Sequence, residues 1–145
     1  MENRWKNLQN GNEEIIRNDN DSKCLGFIVN PISGMGGSVA LKGTDGSYIL
    51  EKAIKLGAKP VSPLRAKQFL KELSSMDDSI SIYTCAGKMG EDEVKECGIK
   101  PNLVIGKRKD GTTAEDTKLA AIVMKERNVK LIAFCGGDGT ARDIM

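Results

Sequence analysis

Residues 129–140 read VKLIAFCGGDGT, and the fold is decided there. The first seven are almost continuously apolar and rich in Val, Ile and Phe. Such a run reads as a buried strand of a parallel sheet. Gly136-Gly137-Asp138-Gly139-Thr140 follows at once, and ARDIM begins a helix. Three glycines in four positions permit φ > 0 and let a ligand approach the backbone closely. The helix start adds N–H groups and the positive end of its dipole. The expected product is an anion site suited to phosphate. Asp138 stands inside it. A carboxylate beside phosphates repels them unless it takes a proton from a hydroxyl or helps to hold Mg²⁺. The plainer alternative is a tight strand–helix turn with the aspartate as a cap.

A second stretch has the same grammar. CLGFIV (24–29) is a short apolar run that stops at Asn30-Pro31. NPISGMGGSVALKGTDG follows, with Gly34, Gly36 and Gly37 flexible and Ser33 and Ser38 supplying hydroxyls. The spacing fits neither a GxxxxGK[ST] phosphate loop nor a GxGxxG dinucleotide fingerprint. Alone it is as readily a flexible loop. Two such loops at strand ends of one sheet are a much stronger signal.

The remaining chain supplies the alternation. SISIYT (79–84) and NLVIG (102–106) read as strands. Helices are expected over YILEKAIKLGA, from Ser62 onward, over GEDEVKECG, and from Thr112 or Thr113 to about Asn128. In the first, Ile49, Leu50, Ala53, Ile54 and Leu56 have helical spacing. In the second, Ser62 is the expected N-cap before Pro63, with Leu64, Phe69, Leu70 and Leu73 inward. Thr112 and Glu115 have capping-box spacing. Capping explains Thr112 and Thr113 fully, although a hydroxyl there could also reach a phosphate. The predicted architecture is α/β, a Rossmann-like three-layer sandwich with a mainly parallel sheet. Ligands then bind beyond the carboxyl ends of the strands.

Composition narrows the chemistry. The 145 residues amount to about one domain. Lys+Arg number 22 against 20 Asp+Glu, which argues against nucleic acid as a partner held by bulk charge. There is no histidine, so Ser-His-Asp triads and histidine metal sites are excluded. Cys24, Cys85, Cys97 and Cys135 are too scattered for a metal cluster and read as small core residues. No apolar run is long enough for a membrane span, and the N-terminus lacks a signal-type apolar core, so a cytoplasmic location is expected. Residues 1–22 hold six asparagines and few apolar residues, and read as a polar, flexible extension. The domain is expected over 23–145.

The paired strings NPISGMGG and GGDGT resemble the ATP-NAD kinase superfamily, which also contains lipid kinases of diacylglycerol and sphingosine type. GFIVNPISGMGGSVALKGTDG, PLRA, TCAGKMGEDE, TTAEDTK and FCGGDGTARDI are most similar to its ATP-NAD kinase-like branch, over residues 25–145. The resemblance implies phosphoryl transfer from ATP to a hydroxyl, with Mg²⁺, and for an NAD kinase the acceptor is the 2′-hydroxyl of NAD. Asp138 then matches the family's catalytic aspartate. Gly136, Gly137, Gly139 and Thr140 match the loop that cradles nucleotide phosphates, and Asn30, Gly34, Gly36 and Gly37 the first nucleotide-facing loop. Family members continue into a larger β-rich C-terminal domain, whereas this sequence stops at Met145. The expectation is therefore a lobe truncated before that domain, weak or inactive alone, needing the missing domain or a partner chain. Homo-oligomer formation stays open. Two other readings remain: the lobe of a lipid or other small-molecule hydroxyl kinase, and a non-catalytic nucleotide-binding module.

Overall fold

The computed structural model describes residues 23–35 and 47–145. The expectations for residues 1–22 and for Gly36 and Gly37 lie outside the described residues. Among the described residues, four strands form one sheet: β1 (Cys24–Val29), β2 (Ser81–Cys85), β3 (Leu103–Ile105) and β4 (Leu131–Cys135). All pair in parallel, in the order β3-β2-β1-β4. Five helices of the described residues accompany them: α1 (Ser47–Lys55), α2 (Ser62–Met76), α3 (Glu91–Glu96), α4 (Ala114–Glu126) and α5 (Asp138–Ile144), with a 3₁₀ turn at Gly87–Met89. The fold is α/β, as the alternation predicts.

The period of two along β1 builds two cores. Phe27 and Val29 face α2 and α3 and cluster with Ala66, Leu70, Ile82 and Val94. Ile28 faces the other way and clusters with Cys85, Met89, Ala120 and Met124 of α4. Opposite faces of one strand thus bury into opposite helical layers, which is why β1 is apolar throughout and has no polar alternation. Gly26 is required on the α4 side. A Cβ there would stand 2.6 Å from the Met124 sulfur and 3.0 Å from Ile132 Cγ1, so its absence lets α4 close on the sheet.

Several expectations are corrected. Leu64 is 59% exposed, because Ala66 and Leu70 set the buried stripe of α2 and Leu64 falls outside it. Phe69 is part-exposed yet stacks on Phe27 with ring centroids 5.7 Å apart. Ile54 and Leu56 are exposed, whereas Ala53 of α1 is fully buried. Val61, not Ser62, is the N-cap of α2. β4 is an edge strand, with Leu131 65% exposed, so its continuous apolar character does not mean complete burial. Among the described residues, no helix is long and apolar enough to cross a membrane.

Candidate functional site

β1 and β4 are neighbours, so the two glycine loops leave the sheet side by side. Asn30 joins them. Its backbone N–H donates to the Cys135 carbonyl at 2.9 Å, carrying the ladder one residue past β1. Its Nδ2 donates to Thr140 Oγ1 at 3.0 Å across a sequence separation of 110. Its Oδ1 accepts the Ile32 N–H at 3.3 Å, and its carbonyl accepts the Ser33 N–H at 3.2 Å. Every polar group of Asn30 is therefore engaged, as an Asx-type turn engages them. The side chain ties the two loop starts together.

The second loop packs just as closely. Thr140 is 3% exposed. A Cβ on Gly136 would lie 2.5 Å from Thr140 Oγ1, and a Cβ on Gly137 would lie 3.3 Å from Ser33 Oγ. Neither glycine, nor Gly139, has positive φ; Gly137 is extended at φ −100. The expectation that these glycines supply left-handed backbone is thus corrected: Gly136 and Gly137 are there for space. Gly34 on the first loop is the one with φ +82. Ser33 is buried, and its carbonyl accepts from Ser62 Oγ at 3.1 Å, which ties the first loop to α2. Sequence reasoning missed that bond, because Ser-Pro at a helix start carries the signature of a cap.

Asp138 is exposed at the first position of α5, and no side chain caps that helix. Its leading N–H groups lack intrahelical acceptors by construction of any α-helix. The exposed backbone of Gly136 and Gly137 adjoins them. An uncapped helix start beside bare glycine backbone can accept an anion, and Asp138 stands where it can accept a proton from whatever the anion brings.

Thr112 and Thr113 lie at the same carboxyl edge but after β3, two strands from β1, roughly 10 Å away at ordinary strand spacing. No hydrogen bond joins either to Asn30 or Thr140 among the described residues. Thr113 is the N-cap of α4, and its N–H and hydroxyl both donate to Asp116 Oδ2, at 2.8 and 3.1 Å. The capping pair is thus Thr113–Asp116, one residue beyond the Thr112–Glu115 pair that spacing suggests. Burial disfavours the Asp116 carboxylate, but Lys109 and Thr113 outweigh it and hold the group below its ordinary range. Thr112 lines a small cavity of about 50 Å³ with Lys107, Lys109, Met89 and Leu119.

This is a parallel α/β domain whose ligand edge carries two glycine loops locked together by one asparagine. Residues 25–145 match the ATP-NAD kinase N-terminal domain, and the chain belongs to that family. Membership makes it a kinase-like nucleotide-binding lobe. No curated protein and no solved structure matches the chain.

Proposed function

We propose that the joined loops bind the phosphates of ATP and that Asp138 serves transfer of the γ-phosphoryl group to the 2′-hydroxyl of NAD. The observation that carries this reading is the Asn30–Thr140 hydrogen bond, which ties together two loop starts distant in sequence. Family membership supports the reaction class, and the geometry supports the division of labour. Gly136 and Gly137 present backbone without side chains, so phosphate oxygens can reach N–H groups. Thr140 and Asn30 hold that backbone in place. Asp138 accepts the proton of the attacking hydroxyl, the role a positioned carboxylate fills in phosphoryl transfer.

The described residues contain no cluster of three or more metal-ligating side chains. Magnesium in this reading belongs with the triphosphate it accompanies, where it supplies charge neutralisation, and no step here runs through it. Asp138 is exposed, so water is not excluded around it by the described residues. We accordingly expect the chain by itself to bind ATP and to form NADP slowly.

Calorimetric titration with ATP and an enzyme-coupled NADP measurement test this together. The expected result is ATP binding in the unaltered chain and in Asp138→Asn, with NADP formation reduced by the substitution. Absence of ATP binding overturns the reading. Binding without any turnover that depends on Asp138 leaves a nucleotide-binding module.

A further inference from the structure

α3 opens on three acids, and they have different fates. Glu91 accepts the Gly87 N–H at 2.8 Å and pairs with Lys95. Asp92 pairs with Arg108. Glu93 turns inward, is 5% exposed, and its Oε2 has no hydrogen-bond partner. A buried carboxyl oxygen without a donor is rare enough to need an explanation.

Its neighbour Val94 shares a buried cluster with Val29, the residue before Asn30, and Cys135 packs against that cluster. From α2, Lys67 favours its charged form, but that ammonium is already committed to Glu96 at 2.9 Å. From α3 itself, Asp92 and Glu96 oppose the charge. The Cys97 thiol lies on the same side of α3, bonded to the Lys67 carbonyl. Lys88, on the 3₁₀ turn packed against α3, is exposed and lines the cavity near Thr112. From β4, the Cys135 thiol senses Glu93, and Arg65 of α2 acts on that thiol with the opposite sign. Cys135 is the residue whose carbonyl receives Asn30 and whose next neighbour is Gly136. Burial, first, outweighs the hydrogen bond from Glu93's own backbone N–H, and with the neighbouring carboxylates it pushes the Glu93 carboxyl up, so it holds its proton to higher pH than in an unfolded chain.

We propose that Glu93 couples nucleotide binding at the joined loops to uptake of a proton by its own carboxyl. The inference rests on the nucleotide reading above. Phosphates arriving at the loops bring negative charge beside Cys135, whose thiol senses Glu93. For charges roughly 10 Å apart at an effective dielectric near 20, Coulomb's law gives a carboxyl about a tenfold rise in proton affinity. Its Oε2 has no donor to resist the change, so protonation of that oxygen is the response that yields. By linkage, a ligand that raises proton affinity binds more weakly as pH rises through the group's own titration.

The test is calorimetric titration of the full chain with ATP in two buffers of different ionisation enthalpy, from about pH 5 to about pH 9, the span in which buried Glu titrates. The difference between buffers counts protons taken up per ATP. Glu93→Gln and Glu93→Met are measured beside it, the second because methionine suits an apolar wall, and their uptake subtracts ATP's own titration. The expected result is greater uptake in the unaltered chain than in either variant. Its ATP affinity should also weaken with pH more steeply than theirs, by up to about threefold per pH unit and about tenfold over the whole titration. Equal uptake in the unaltered chain and a folded variant overturns the inference while ATP binding stands. Zero uptake across the range in the unaltered chain overturns it whether or not the variants fold. Absence of ATP heat overturns the nucleotide reading and this inference with it.

Discussion

α4 and α5 both begin at the carboxyl edge of the sheet, and they begin in opposite ways. α4 follows β3 and is closed by its own chain: Thr113 is the N-cap, and Asp116 returns to the Thr113 N–H and hydroxyl. α5 follows β4 and opens from Gly137 with no side-chain cap. Both starts contain threonines and an aspartate, yet the residues are spent differently. At α4 the carboxylate is consumed by a cap and by Lys109. At α5 the threonine turns inward to Asn30 and the aspartate faces solvent. A helix start that satisfies itself has little left for a ligand; one whose side chains are drawn away keeps its amides available.

Gly136→Ala should give the largest effect. The added methyl would collide with Thr140 Oγ1, Cβ and Cγ2, at 2.5–2.7 Å, and the Asn30–Thr140 bond cannot survive the shift. Overpacking of this kind costs about 1–3 kcal/mol. Displacing a phosphate loop by even an ångström costs on the order of a hundredfold in rate. Urea unfolding and ATP calorimetry should both register the change. Unaltered ATP affinity in Gly136→Ala would break the contrast between the two helix starts. Thr140→Val comes next. It keeps the shape and removes the acceptor, leaving Asn30 Nδ2 without its partner. The expected cost is about 1–3 kcal/mol of stability, with weaker ATP binding.

These two substitutions also show how far the sequence could be read. The alternation of apolar runs and amphipathic segments was enough for the parallel α/β sheet, because each strand's burial follows from its own residues. That the glycine loops meet was an inference from the switch-like edge of such sheets, and the adjacency of β1 and β4 supports it. What could not be read was the reason for each glycine. Gly136 in sequence suggests unusual backbone, and only the position of Thr140 shows that it is a matter of room. Leu64 and Ile54 misled because helical spacing marks a stripe without saying where the stripe ends. Glu93 was hidden for a different reason. Three acids at a helix start look like dipole complements, and nothing in EDEVKE says that the third is turned to the core.

Asp116→Ala should be smaller and of another kind. Loss of a capping carboxylate costs about 0.5–2 kcal/mol, and ATP affinity should stay within about twofold, because α4 lies outside the joined loops. A large loss of ATP binding here would mean that the two starts act as one site and that Thr112 or Thr113 belongs to it.

The smallest effect is the pH dependence of that same cap. The Asp116 carboxyl is held below its ordinary range in the folded chain. A group with a depressed folded pKa adds stability above its unfolded value, about 3.9 for aspartate, and the contribution fades as pH falls through the lower folded value. Asp116→Asn lacks the titration. The stability gap between it and the unaltered chain should therefore be full at neutral pH and shrink toward zero in acid below about pH 4. Urea unfolding at a series of pH values measures it. A gap that stays constant into acid would show that Asp116 caps α4 by shape alone, with its charge contributing nothing to the closed helix start.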